Sequence, residues 1–104
     1  MKNIVYQTDQ IVRYFTKNRV KWDQFYASEC SIINQLPIEC KSRILDIGCG
    51  CGGLGLALRD KFKVDNYTGV EINAAAAKTG LETNPKAKII CGDILNLGQN
   101  ALRD

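Results

Sequence analysis

The stretch "ILDIGCGCGGLG", residues 44–55, constrains this chain more than any other. Five glycines fall between Gly48 and Gly55, directly behind a short apolar run that carries one carboxylate, Asp46. Each glycine raises the backbone entropy lost on folding, so such a cluster beside a core segment needs a geometric reason. "RILDI", residues 43–47, is a short apolar run bounded by turn signals, the form of a buried parallel strand. A glycine turn between a strand and the helix it feeds lets backbone N–H and C=O groups come within contact of a ligand.

The rest of the chain repeats the alternation. "LGLALRDKF", 54–62, reads as a helix and "YTGVEI", 67–72, as a second strand. Asn73 can cap a helix over "AAAAKTGLE", with Gly80 near its end. "AKIICGD", 87–93, reads as a third strand after Pro85. Strand, helix, strand, helix, strand spells two right-handed crossovers and parallel pairing. The expected fold is therefore α/β, a Rossmann-like three-layer arrangement with a partial parallel sheet of three strands in the order 3-2-1. Residues 8–35 read as helical. Ile11, Val12 and Phe15 form a short stripe behind a cap at Thr8, and Asn18 separates it from a stronger stripe of Trp22, Phe25, Tyr26, Cys30 and Ile33. That second stripe is expected to pack as core. Residues 1–42 are thus an N-terminal helical extension, and 43–104 the unit built around the glycine loop.

Composition excludes several classes of function. The chain has 104 residues, which suits one small domain or part of a larger one. A net charge of +3, with basic residues scattered, does not indicate nucleic acid. No apolar run approaches the ~18–20 residues of a membrane span. The cysteines, Cys30, Cys40, Cys49, Cys51 and Cys91, are odd in number and follow no secretory segment. They read as reduced thiols in a cytoplasmic setting rather than as a disulfide framework. No metal-ligand spacing is present, and the chain lacks histidine, the commonest general base at neutral pH.

Three nucleotide-binding loops compete for the glycines. A phosphate loop needs Gly-Lys-Ser/Thr, and Leu54 follows Gly53, so that pattern fails. Gly48, Gly50 and Gly53 satisfy the dinucleotide pattern G-x-G-x-x-G, which alone is weak. Asp46, Gly48, Gly50 and Gly52 satisfy an acidic residue followed by x-G-x-G-x-G. A carboxylate at 46 suits a cationic ligand better than a diphosphate. The same residue can also hold the turn by accepting from loop N–H groups.

This segment resembles motif I of the class I S-adenosylmethionine-dependent methyltransferases. Glu71 at the end of the second strand and "CGDI", 91–94, at the end of the third agree with it. The resemblance covers about residues 43–95. It implies S-adenosylmethionine as cofactor, with Asp46, Gly48, Cys49, Gly50 and Gly52 near its methionine end. It further implies Glu71 at the ribose, Asp93 with Ile94 at the adenine, and Ile72 among the residues that bind the cofactor. No residue is singled out as catalytic. The family's sheet usually has seven strands, so the chain is expected to supply a cofactor-binding half, with a methyl acceptor of unknown class. An open edge beside residues 43–47 would favour self-association. Two other readings stay open: an NAD-binding half-domain of an oxidoreductase, and a non-catalytic methyltransferase-like partner subunit.

Overall fold

The computed structural model describes residues 9–98, with the side chains of Asp9, Ile11 and Phe15 left aside. The proposed cap at Thr8 and the stripe positions Ile11 and Phe15 therefore lie outside the described side chains. In chain order the elements are α1 (Asp9–Asn18), a 3₁₀ turn (Trp22–Gln24), α2 (Ala27–Asn34), β1 (Arg43–Ile47), α3 (Gly53–Phe62), β2 (Asn66–Glu71), α4 (Ala74–Thr83) and β3 (Lys88–Cys91).

The three strands form one sheet in the order β1-β2-β3, and both pairings are parallel. The expected order 3-2-1 and the two crossovers are borne out. Ile44 pairs with Tyr67, Asp46 with Gly69, and Glu71 with Cys91. Because strand side chains alternate with a period of two, Ile44, Asp46, Tyr67, Gly69 and Glu71 share one face. That face receives α3 and α4. A Cβ at Gly55 of α3 would stand 2.7 Å from the Tyr67 ring, and one at Gly80 of α4 would stand 2.7 Å from Ile89. Ala57, Leu58, Val64, Tyr67, Val70, Ala76 and Ala77 are buried and form the interior. Leu45 and Ile47, on the opposite face of β1, are 48% and 58% exposed. Among the described residues β1 pairs only with β2, so its outer edge is open.

One helix reading is borne out and one needs correction. Gly80 lies near the end of α4 as expected, in its last turn, where its carbonyl accepts from Asn84 N–H and where a Cβ would come within 2.6 Å of the Cys51 carbonyl oxygen. Glycine is there because the helix lies close against the loop. The stripe from Trp22 to Ile33 is not one helix, and no residue of α2 is buried. The Gln24 side chain explains the break. Its oxygen accepts from the N–H groups of Val20 and Lys21, and its amide donates to the Lys17 carbonyl. Backbone groups that a continuous helix would satisfy are satisfied by one side chain instead. Arg19 then pairs with Glu29 at 3.0 Å and lies over the Phe25 ring, while Trp22 meets Phe62 of α3 edge-on. The N-terminal segment is fastened to the α/β unit at the bend by Trp22 and along α1, where Val12 is buried with Cys51 and Ala76 and Thr16 donates its hydroxyl to the Cys51 sulfur at 3.6 Å.

The tightest of these contacts involves backbone. A Cβ added to Gly53, the first residue of α3, would overlap the carbonyl oxygen of Arg19. Replacing a helical glycine by alanine ordinarily gains up to about 1 kcal/mol. Gly53→Ala should instead lose about 1–3 kcal/mol, the usual cost of overpacking. Urea denaturation of the two proteins would show the sign, and a stabilised alanine variant would mean that the N-terminal segment does not rest on α3.

Candidate functional site

The loop between β1 and α3 hangs from the end of β2. Gly48 and Cys49 both donate their N–H to the Val70 carbonyl, at 2.8 and 3.1 Å. Gly50 donates to Glu71 Oε1 at 2.7 Å, and Asn73 donates its N–H to Glu71 Oε2 at 2.8 Å. The Glu71 carbonyl accepts from Gly92 N–H at 2.9 Å, which brings in the loop after β3. Glu71 therefore joins the glycine loop and the start of α4. Asn73 caps that helix as expected, its Oδ1 accepting from Ala75 and Ala76.

The glycines divide into two groups. Gly48 and Gly50 have φ of +74° and +59°, a left-handed backbone that side chains resist, and a Cβ at either would meet nothing within 4 Å. Here the loop presents bare backbone to open space. Gly52 shares the left-handed backbone, with φ of +74°, but faces inward, with Ile89 and the Tyr67 ring 3.0 and 3.9 Å from a Cβ position, and Gly55 leaves room for the same ring. Gly52 is buried, so this expected site residue faces the floor beneath the loop.

Asp46 does not hold the turn through loop N–H groups. The carboxylate that does so is Glu71. Asp46 Oδ2 accepts from the Tyr67 hydroxyl at 2.6 Å, a short charge-assisted bond. Burial raises the Asp46 carboxyl above its ordinary 3.8; the Tyr67 hydroxyl opposes that rise, and the Glu71 charge adds to it. Cys49 lies in the same group. With Asp46 and Glu71 nearby, burial pushes its thiol up to about 12, so it is a neutral filler rather than a nucleophile. A Cβ at Gly69 would strike the Cys49 sulfur and stand 3.3 Å from the Tyr67 oxygen, which is why β2 carries glycine there.

Asp93 follows β3 rather than ending it. Its Oδ1 accepts from Leu95 N–H at 3.0 Å, closing a turn at the same end of the sheet. Ile72 is 69% exposed just beyond β2, and Ile94 is half-buried after β3. The structure thus brings Asp46, Cys49, Gly50 and Glu71 into one bonded or contacting group. Asp93, Ile72 and Ile94 stand around it on the neighbouring loops. Sequence reasoning passed over Tyr67. Counting back by two from Glu71 puts it on the face of Asp46, and a buried tyrosine hydroxyl needs a partner. Among the described residues no cluster of metal-ligating side chains occurs, and no helix is long and apolar enough to cross a membrane.

Parallel strands in this order, with a glycine loop and carboxylates at their carboxyl ends, define the Rossmann-like fold of the class I S-adenosylmethionine-dependent methyltransferases. The chain belongs to the methyltransferase small domain family, whose model matches residues 22–101. It is 33% identical over 97 residues to a Haemophilus ducreyi protein named as a 23S rRNA (uracil(747)-C(5))-methyltransferase, covering 88% of this chain and 44% of that one. It is 38% identical over 78 residues to a tRNA1(Val) (adenine(37)-N6)-methyltransferase of Dickeya chrysanthemi, covering 65% and 30%. The chain therefore spans less than half the length of these relatives. Among solved structures, a chain of the complex between the Haloferax volcanii Trm112 methyltransferase activator and a methyltransferase matches with a TM-score of 0.65 at 16% identity, over 88% of this chain and 39% of that one. Haemonchus contortus phosphoethanolamine N-methyltransferase 2, in complex with S-adenosylhomocysteine, matches with a TM-score of 0.65 at 19% identity, over 86% and 23%. At such identities these structures speak for the fold.

The buried carboxyl of Asp46 has a consequence for stability. Its proton is held more tightly in the folded chain than in the unfolded one. The resulting contribution is fully present below the unfolded value of 3.8 and is lost as pH rises through the higher folded value. Asparagine keeps an acceptor for Tyr67 and carries no charge. Asp46→Asn should therefore be more stable than the parent at neutral pH, with the gap closing as the pH is lowered toward that of the free carboxyl. Urea unfolding over a pH series checks this. A neutral-pH loss of stability would mean that the Asp46 charge is well solvated.

Proposed function

We propose that this chain supplies the S-adenosylmethionine-binding part of a methyltransferase. The observation that carries the reading is the carboxylate of Glu71. Each of its oxygens already accepts one backbone N–H. A carboxylate oxygen has two acceptor sites, so each keeps one for a ligand hydroxyl. The backbone thus fixes the carboxylate in place with its remaining acceptors available, which suits the two hydroxyls of a ribose.

The other groups fit the same ligand. The open flank at Gly48 and Gly50 admits a ligand against bare backbone. Asp46 and Cys49 lie behind it, and Asp93 with Ile94 would face the adenine from the loop after β3. When bound, the cofactor supplies an activated methyl group on a sulfonium centre. The part of this chain is to hold and orient it. A diphosphate on the glycine loop would meet Asp46 as a like charge, which disfavours NAD. Two curated relatives are named as RNA methyltransferases, so an RNA base is the first acceptor to offer. The free cysteines agree with a reducing, cytoplasmic setting.

Calorimetry of the chain with S-adenosylhomocysteine and with NAD tests the reading. The first ligand should bind more tightly, and tighter binding of NAD would overturn the assignment. Sedimentation on the same samples reports whether the open edge of β1 brings two chains together.

Glu71 can be tested by itself. Hydrogen bonds to a charged group contribute about 1.5–3 kcal/mol. Glu71→Ala should weaken S-adenosylhomocysteine binding about 10- to 150-fold. It also frees the N–H groups of Gly50 and Asn73, so the melting temperature should fall as well. Unchanged affinity would reduce Glu71 to a tie within the loop.

A further inference from the structure

We propose that Tyr67 is a positioning residue for the cofactor site: its buried hydroxyl holds Asp46 as an oriented carboxylate, and Asp46 meets the cationic end of the ligand. This rests on the S-adenosylmethionine reading above. Nothing in the family pattern of acidic residue and glycines includes Tyr67, which lies on β2, 21 residues away from Asp46 in sequence.

The geometry leaves the Tyr67 side chain little freedom. Its ring lies against the first turn of α3, where Gly55 leaves it room, and against Gly52 at the end of the loop. Tyr67 is 6% exposed. Its hydroxyl emerges above Gly69, where Cys49 also sits, and donates to Asp46 at 2.6 Å. The inner glycines of the loop therefore serve the tyrosine, while Gly48 and Gly50 face outward.

The groups that face Asp46 are Tyr67 and Glu71 from β2 and Cys49 from the loop. Burial and the charge of Asp46 push the pKa of the Tyr67 phenol far above its ordinary value, and that of the Cys49 thiol is also raised. Both stay neutral at physiological pH. Asp46 is the group whose charge can vary. Burial and Glu71 favour its protonated form, and the Tyr67 hydroxyl favours its charged form. Without the hydroxyl, Asp46 would take up a proton at a higher pH. The site would then lose negative charge where an ammonium or sulfonium group would rest.

Tyr67→Phe keeps the ring and removes only the donor. Calorimetry with S-adenosylhomocysteine, whose ammonium group supplies the cation, should show about tenfold weaker binding at neutral pH. The deficit relative to the parent should shrink as the pH rises through the higher Asp46 value of the variant, read below the pH at which the ammonium group of the ligand loses its own proton. Asp46→Asn should bind weakly with no titration of its own at that position, and adding Tyr67→Phe to it should cost nothing further. Carbon NMR of the Asp46 carboxyl in the ligand-free chain should show its titration moving to higher pH in Tyr67→Phe. An unmoved titration overturns the proposal, whatever the ligand. So does a loss of affinity equal at every pH, or one that adds to that of Asp46→Asn. If the titration moves while the parent chain binds no S-adenosylhomocysteine, the cofactor reading is what fails. Should Tyr67→Phe not fold, an Asp46→Asn variant that binds as well as the parent overturns the proposal by itself.

Discussion

Everything at the carboxyl end of this sheet depends on the last two residues of the middle strand. Val70 accepts the first two amides of the glycine loop through its carbonyl. Glu71 accepts the next loop amide and the amide of Asn73 through its side chain, and the amide of Gly92 through its carbonyl. Three loops that belong to different strands are thereby referred to one short piece of backbone. Buried or half-buried amides need partners, and here the partners lie on the most enclosed strand of the sheet. The shape offered to a ligand is consequently set by the sheet, and only its finish by the loops.

That arrangement also explains where charge is placed. Glu71 is held by donors on both oxygens, whereas Asp46 is held by a single tyrosine hydroxyl. Two carboxylates on adjacent strands repel, and burial makes the repulsion stronger. The domain tolerates this because each anion is hydrogen-bonded. An uncharged residue at 46 would avoid the cost of burying that charge.

The α/β part was readable in the sequence because its signals are local and agree with one another. Residues 43–47 match β1, Asn73 caps α4, and the two crossovers dictate the strand order. Glu71 was singled out by the family resemblance together with its place at a strand end. What sequence did not disclose was its partner, because the bond to Gly50 spans 21 residues and no pattern marks it. Tyr67 was missed for a related reason. Its importance arises only when β1 and β2 are in register, which sets its hydroxyl beside Asp46. The N-terminal segment was the least legible. Its apolar residues recur at helical spacing, yet Gln24 competes for the backbone and breaks the helix. A side chain that imitates a turn leaves no periodic trace.

The glycines in and around the loop resist change for different reasons. At Gly55 and Gly69 the obstacle is a side chain, since the Tyr67 ring or the Cys49 sulfur already fills the place of a first carbon. Such positions can be relieved by trimming the neighbour, so each is one half of an exchangeable pair. At Gly53 and Gly80 the obstacle is a backbone carbonyl, of Arg19 or of Cys51, which no substitution of the neighbour removes. At Gly48 and Gly50 space is free and the obstacle is handedness, because the backbone turns in the sense that mirror-image amino acids prefer. No compensating substitution elsewhere alters the chirality of a residue. The outward part of the loop is therefore isolated from the gradual repacking by which the rest of the domain can drift, and its outline is bound to persist while the interior beneath it changes.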